Sequence, residues 1–455
     1  MDSSKKRKLI EPKPIKYDLQ DVTEPNLYEE LFDYDQVCKI SFDNVTFPME
    51  LPANFWITDT TFRDGQQARP PYTVNQIVSI FDMLHKLGGP NGVIRQSEFF
   101  LYSPTDREAV EKCLERNYRF PEVTGWIRAV KADFKLVKEI GLKETGILTS
   151  ASDYHIFLKL KKSRREAMNS YLEIVRAALD EGIVPRCHLE DITRADFYGF
   201  IIPFVQELMK LSAESGIPIK IRACDTMGYG VPFVEAALPR SVPKLIHGLI
   251  YDGGVPSEQL EWHGHNDFHK VLVNGTSAWL YGCSAVNGTV LGFGERTGNP
   301  PIEGLIIDYI SLFGSDNGVD TTVITDVGDY FRKEIKAQIP DNYPFVGAEF
   351  NTTRAGIHAD GVTKDERIYN IFNTDKLLKR PLGVTITNVS GTAGIAHWVN
   401  TTLRLKGEER IDKRNPGIVT LYQWVSEQYN NGRTTGIANE EMVEQAKTAL
   451  PEYFA

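Results

Sequence analysis

Eight short β-type runs alternating with eight helical segments, over roughly 260 residues, predict an α/β chain that closes as a TIM (β/α)8 barrel. Two further observations agree. Polar side chains collect at the C-terminal ends of the β-type runs, and in a closed barrel those ends share one functional face. The alternation also stops near residue 340, where a mostly helical C-terminal region follows. The expected organisation is an N-terminal extension over 1–50, a barrel over 51–335 and helical C-terminal subdomains over 336–455.

Residues 1–50 are polar, contain Pro12, Pro14 and Pro25 and lack sustained periodicity, which reads as an extension wrapping a larger body. The β-type runs are FWITD (55–59), VIRQSEFF (93–100), EVTGWIRAV (122–130), ETGIL (144–148), IVPRCHLED (183–191), PIKIRACD (218–225), LEWHGHN (260–266) and SAVNGTV (284–290). Helices are expected near 73–87, 104–117, 131–140, 163–182, 195–215, 232–250, 266–282 and 302–313. An open doubly wound sheet shares this alternation, but eight regular units favour closure. Beyond the barrel come FNTTRAGIHADGV (350–362), a stretch punctuated around Pro381, and helices near 392–406, 416–430 and 438–449.

Composition narrows the class. Hydrophobic residues make up 42% and charged residues 25% of 455, an ordinary soluble balance. A net charge of −10 argues against nucleic acid as a partner, since neutralising phosphates needs surplus Lys and Arg. Cys38, Cys113, Cys187, Cys224 and Cys283 show no CxxC spacing, which suits a reducing compartment. The N-terminal MDSSKKRKLIEP lacks an apolar h-region, so it is not a secretory signal, and KKRKL reads as a solvated tip in preference to a nuclear localisation patch. No run has the length of a membrane span. The expectation is a cytoplasmic, membrane-free protein.

Chemistry concentrates in two places. In TDTTFRDGQQ (58–67), Arg63 and Asp64 follow an apolar strand and precede Gly65, a pattern suited to a barrel mouth and also to a surface ion pair before a helix. In EWHGHND (261–267), His263 and His265 are two apart, so on a strand they face the same side and can chelate one divalent cation. Asp64 supplies a carboxylate from the first strand, separated from the seventh only by the eighth. Two imidazoles and one carboxylate suit a catalytic divalent metal, with Mg²⁺, Mn²⁺, Co²⁺ and Zn²⁺ all compatible. Such a metal polarises an α-keto acid, and Arg63 beside it can hydrogen-bond the alkoxide that forms on attack. A nicotinamide cofactor is not expected, because GFGERTGN (292–299) spaces its glycines wrongly and no βαβ unit follows.

TTFRDGQQ, HGHND and GFGERTGN, in this order on these strands, resemble the DRE-TIM metallolyase family over about residues 53–400. The family includes isopropylmalate, homocitrate, citramalate and (Re)-citrate synthases, which condense an acyl-CoA with an α-keto acid on a metal-bearing barrel. The resemblance implies metal ligands at Asp64, His263 and His265 and a keto-oxygen arginine at Arg63. It also implies a substrate-binding first-motif glutamine at Gln67, a carboxylate near the acetyl group at Glu190 and a substrate-binding hydroxyl at Thr226. His358 in AGIHADG matches a histidine acting in trans within a homodimer, with Tyr369 as candidate partner. Glu190 and His358 are the alternatives for the general base. Where the family motif reads RDGEQ, this chain has Gln66 in place of the glutamate. Glu190 and Asp191 also suit the start of a helix near Thr193.

Related barrels are set aside by single positions. Biotin-dependent carboxyltransferases need a lysine where this chain has Cys224, and HMG-CoA lyases need a cysteine after the eighth strand, where GERTGN has none. About 50 residues follow 406, so a full leucine-sensing domain is not expected. Arg128 and Arg186, with Thr226, suggest a dicarboxylic acceptor held by planar guanidinium groups. By comparison with homocitrate synthases, Arg186 is kept while His188 and Val130 replace a serine and a histidine. A larger His188 shortens the pocket and favours oxaloacetate over 2-oxoglutarate. The expected reaction is acetyl-CoA plus oxaloacetate plus water to citrate plus CoA, an acyltransferase activity. Homocitrate, isopropylmalate or citramalate synthesis, and a metal-binding regulatory protein without turnover, are the alternatives.

Overall fold

The computed structural model describes residues 15–353, 358, 361–362 and 364–454. The KKRKL tip and most of the AGIHADG stretch lie outside them. The chain divides into two compact units, one running to Asp320 and one beginning at Thr321.

In the first unit eight parallel strands close into a barrel in chain order. They are β1 (Trp56–Asp59), β2 (Ile94–Phe100), β3 (Glu122–Ile127), β4 (Glu144–Ser150), β5 (Val184–Glu190), β6 (Lys220–Asp225), β7 (Leu260–Gly264) and β8 (Ala285–Gly288), with β8 pairing back onto β1. The helices are α1 (Val74–Gly88), α2 (Pro104–Leu114), α3 (Phe134–Ile140), α4 (Arg164–Asp180), α5 (Ile202–Ser215), α6 (Val242–Tyr251), α7 (Val271–Leu280) and α8 (Ile302–Phe313). Several begin on the signals the sequence offers: Thr73, Ser103 and Ser163 each form a capping box, satisfying N–H groups left open in a first turn. The TIM barrel is therefore confirmed, with small shifts at strand ends.

The helix expected over 232–250 is a correction. It begins only at Val242, after Ser241 accepts the Lys244 N–H and Pro243 fills the first turn. Residues 231–241 form a loop closed by pairing of Val231 with Ser241, because Pro232 and Pro239 lack the N–H groups a helix needs. From Ile15 to Glu50 the chain lies along its own barrel: the Tyr17 N–H donates to Gln206 at 3.1 Å, Phe32 packs on Tyr229 at 4.8 Å, and the Glu50 N–H donates to the Leu280 carbonyl at 2.9 Å.

The second unit contains helices Val323–Lys333, Thr374–Leu378, Gly391–Thr402, Pro416–Asn430 and Asn439–Ala449, and a parallel pair formed by Thr352–Thr353 and Gly383–Val384. Ile395, Val399, Ile418, Leu421, Met442 and Ala446 build its core. Helix Val323–Lys333, placed with the barrel in the sequence reading, clusters with this unit.

The barrel interior is ionic. Such interiors are ordinarily filled by branched apolar side chains. Here Glu98, Glu144, Arg186, Arg222 and Glu261 are buried together. Arg222 forks onto Glu261 at 2.8 and 3.1 Å and reaches Glu98 at 2.9 Å; Arg186 reaches Glu144 at 2.7 Å; Lys220 closes on Glu144 at 2.6 Å. Buried charges persist only when paired in this way.

Asp59, at the end of β1, is fully buried, accepts from the Thr61 N–H at 2.9 Å and from Ser97, and has its carboxyl pushed up to about 6 by burial. A raised carboxyl contributes stability below its unfolded value near 3.9 and loses it as pH rises through the folded one. Asp59→Asn removes that dependence. The variant's denaturation midpoint relative to the parent is expected to improve between pH 5 and pH 7.5. A constant difference across that interval would rule out ionisation of Asp59 as the cause.

Candidate metal centre and active site

β1 delivers the first ligand through a tight turn. The Arg63 and Gly65 N–H groups both donate to the Thr60 carbonyl at 3.1 Å. A Cβ on Gly65 would lie 2.5 Å from the Thr61 carbonyl oxygen, so only glycine lets the turn close and carry Arg63 and Asp64 inward. Both are buried. From β7, His263 and the following His265 converge with Nε2 atoms 3.3 Å apart, and Asp64 Oδ2 lies 3.6 Å from His263 and 3.7 Å from His265. The expected ligand triad is thus brought together, and its three donor atoms lie within 4.8 Å of one another.

The electrostatics suit a cation. His263 Nδ1 sits 2.8 Å from Asn287 Oδ1; donation to that amide oxygen leaves the Nε2 lone pair facing the centre. Burial lowers the basicity of both imidazoles, keeping them neutral. Burial alone would raise the Asp64 carboxyl, but the Arg63 guanidinium beside it holds it below the usual range and ionised. Asp64 Oδ2 is buried and has no hydrogen-bond partner among the described residues. An orphaned carboxylate oxygen between two imidazole lone pairs is costly unless an ion occupies the gap, so the donor set fits a hard or borderline divalent metal.

Arg63 is held by its neighbours. Its Nε donates to Glu98 Oε2 at 2.9 Å and its Nη1 to Asp64 at 3.3 Å, while Nη2 has no protein partner among the described residues. Glu98 in turn accepts from Arg222, so Arg63 is the upper end of the interior ion chain. Glu190 ends β5, in register with Cys224 on β6, which pairs with His263 on β7. Glu190 therefore stands level with His263, about 10 Å round the barrel at the usual strand spacing. Ser150 donates to Glu190 Oε2, and Lys159 lies 3.6 Å from it.

Other sequence candidates fall elsewhere. Arg186 is not at the mouth: it lies on β5 roughly 13 Å below Glu190 along the strand, four residues at the usual rise, with its guanidinium engaged by Glu144, Glu261 and Thr124. Its guanidinium is taken up by the ionic interior of the barrel. Arg128 follows β3, is mostly exposed and forks onto Asp133 at 2.9 Å, lining an outer cleft rather than the axis. Gln67 is exposed. Gln66 ties its own turn together, donating to the Phe62 carbonyl at 2.7 Å and accepting from Tyr72 at 2.9 Å. A glutamate could not make the donation, which gives this position a structural use for an amide. Thr226 accepts the Asp191 N–H at 2.8 Å, leaving its hydroxyl hydrogen for another acceptor. His188 is buried under Glu190, 3.4 Å from Glu98, and burial lowers it to about 3, so it is neutral. A Cβ on Gly146 would stand 2.6 Å from His188 Nε2; glycine on β4 makes room for that ring. In the second unit His358 is exposed and its ring lies 4.4 Å from that of Tyr369.

Sequence reasoning missed Glu98, Asn287 and His155. Glu98 and Asn287 occupy inward positions of recognised strands, so strand parity could have found them. His155 lies in the wide helical turn Tyr154–Lys159, with Nδ1 3.4 Å from Asp191 and Nε2 3.6 Å from Glu190. No periodic pattern marks it.

Comparison with known proteins agrees with this geometry. A family model described as HMGL-like matches residues 54–330. A protein named Citrate (Re)-synthase from Syntrophus aciditrophicus (strain SB) is 61% identical over 439 residues, covering 96% of this chain and 70% of that one. One of the same name from Clostridium kluyveri is 57% identical over 436 residues, 96% of each. Among solved structures, hydroxymethylglutaryl-CoA lyase from Pseudomonas aeruginosa superimposes with a TM-score of 0.51 at 20% identity, over 63% of this chain and 95% of that one, a likeness of fold.

Proposed function

Because the chain belongs to the HMGL-like family, we propose that it is an acyltransferase condensing acetyl-CoA with oxaloacetate and water to give citrate and CoA, the reaction of a (Re)-citrate synthase. Identity of 57–61% to two such synthases across 96% of the chain carries this reading. Among the structural features, neutral His188 beneath the mouth favours the shorter dicarboxylic acceptor.

Asp64, His263 and His265 would hold a divalent ion, which would supply Lewis acidity at the acceptor's keto oxygen. Arg63, fixed by Glu98, presents Nη2 toward the negative charge that grows there. Thr226 offers its hydroxyl to the acceptor's carboxylate. Glu190, supported by Ser150 and Lys159, takes a proton from the acetyl methyl; the resulting carbon attacks the keto carbon, and the alkoxide formed takes up a proton as the tertiary hydroxyl while Glu190 releases the one it took. His358, which the family resemblance has acting in trans within a homodimer, is the other candidate for that proton. Water then adds to the thioester carbonyl, the C–S bond breaks and the thiolate leaves with a proton as CoA.

The test is thiol release from acetyl-CoA by metal-reconstituted protein with oxaloacetate, 2-oxoglutarate, 2-oxoisovalerate or pyruvate. One methylene in a pocket is worth about 10–200-fold, and oxaloacetate is expected to exceed 2-oxoglutarate in kcat/KM by a factor in that range. Preference for 2-oxoglutarate would sink the shortened-pocket reading and keep the condensation. No release with any acceptor would leave a regulatory binding protein.

A further inference from the structure

Glu190 and Asp191 are consecutive in the chain, yet both turn their carboxylates to one imidazole, that of His155. Successive strand residues ordinarily point to opposite faces. Here β5 ends at Glu190, and Asp191 takes a left-handed conformation, φ 67° and ψ 40°, with its N–H on the Thr226 hydroxyl. That turn brings the second carboxylate back beside the first. Asp191 is fully buried, and Arg194 Nε donates to both of its oxygens at 3.1 Å.

Ser152 sets the orientation of the ring. Its hydroxyl donates to Asp191 Oδ2 at 2.5 Å, so toward His155 Nδ1, 3.0 Å away, the same oxygen can only accept. In the neutral ring Nδ1 therefore carries the hydrogen, with Asp191 3.4 Å from it. The Nε2 lone pair is left facing Glu190 Oε1 at 3.6 Å. The other Glu190 oxygen is occupied, since Ser150 donates to Oε2 and Lys159 lies 3.6 Å from it. The residues before His155 are tethered. Buried Arg164 grips Asp153 at 2.9 and 2.7 Å, the Asn26 N–H donates to Asp153 at 2.7 Å, and Tyr154 donates to the Leu27 carbonyl at 2.8 Å. The Leu160 N–H then closes the wide turn on the His155 carbonyl at 2.8 Å. Wide turns of this kind are frequent at functional sites.

We propose that His155 is the positioning residue through which Glu190 passes on the proton it takes from the acetyl methyl. The assignment rests on Glu190 as the base in the reaction above. First a C–H bond of the methyl breaks and an O–H bond forms at Glu190 Oε1. Then that O–H bond breaks, an N–H bond forms at His155 Nε2, and Glu190 is a carboxylate again. The imidazolium lies between the carboxylates of Glu190 and Asp191, with Lys159 and Arg194 as the cations on their far sides. Its Nε2 proton leaves to water, to which the side chain keeps 16% of its surface open. Contacts such as the 3.6 Å approach of Nε2 to Oε1 tighten once a proton is shared.

The test uses the full metal-loaded chain with His155→Gln, which fills the space without a titrating nitrogen, and His155→Ala, which leaves room for free imidazole. Both are expected to lose about 10² in kcat for thiol release with oxaloacetate, with KM for either substrate within about twofold of the parent. Imidazole added to His155→Ala should restore turnover, and imidazoles of graded basicity should restore it in that order. A ring with a purely structural use would be replaced by glutamine. Turnover of His155→Gln within about threefold of the parent overturns the relay and leaves the condensation standing. So does rescue that is absent or indifferent to basicity. A parent that releases no thiol with oxaloacetate removes the condensation and the relay together.

Discussion

Arg63→Ala is expected to lower kcat/KM with oxaloacetate by about 10²–10³, the range seen when one preorganised donor to a developing oxyanion is removed. The expectation follows from where the guanidinium is held. Glu98 fixes Nε and Asp64 fixes Nη1, so Nη2 points by default rather than by a rotamer search. Lysine cannot reproduce that fork, so Arg63→Lys should recover little of the loss. The measurement is thiol release at matched metal content, with bound metal quantified in each variant because Arg63 also helps keep Asp64 ionised. If Arg63→Ala with full metal turned over within about threefold of the parent, its assignment to the keto oxygen would be lost.

How much of this could be read from the chain alone follows from what a one-dimensional pattern encodes. The strands of the barrel were legible because short β-branched runs between helical segments have few other solutions. The grouping of Asp64, His263 and His265 was legible because His263 and His265 share strand parity and Asp64 lies one strand beyond the neighbouring β8. Arg186 and Arg128 were misplaced for opposite reasons. In strands a charged residue alternating with apolar ones usually marks a solvent face, and nothing in IVPRCHLED says that its inner face looks into a closed ionic interior. Arg128 follows a strand end, but β3 stops at Ile127, so the arginine leaves the axis for the outer cleft. Gln66 looked like a lost charge beside the metal, yet its amide closes the turn that presents Asp64. His155 reaches Glu190 from a distorted helical turn, and only coordinates reveal that approach.

The interior ion chain carries the second large effect. Arg222→Met is expected to destabilise the barrel by about 3–5 kcal/mol, because removing one partner strands buried charge on the others. Arg222 is the cation shared by Glu98 and Glu261, contacting both within 2.9 Å. Burial by itself would raise the Glu98 carboxyl; Arg222 and then Arg63 hold it well below its usual value. A depressed carboxyl contributes stability above its unfolded value near 4.3 and loses it as pH falls toward the folded one. Without Arg222 the two glutamates are unfavourable while ionised and tolerable once protonated. The deficit in thermal midpoint should therefore be greatest near pH 7.5 and shrink toward pH 5. Adding Glu261→Gln to Arg222→Met should restore part of the loss at pH 7.5, since the interior count of charges is balanced again. Turnover should fall in the single variant as well, because Glu98, no longer shared, draws Arg63 down the axis. A single variant that melts within about 2 °C of the parent at pH 7.5 would show that the interior charges are solvated or neutral, and Arg63 would then need another explanation for its fixed pose.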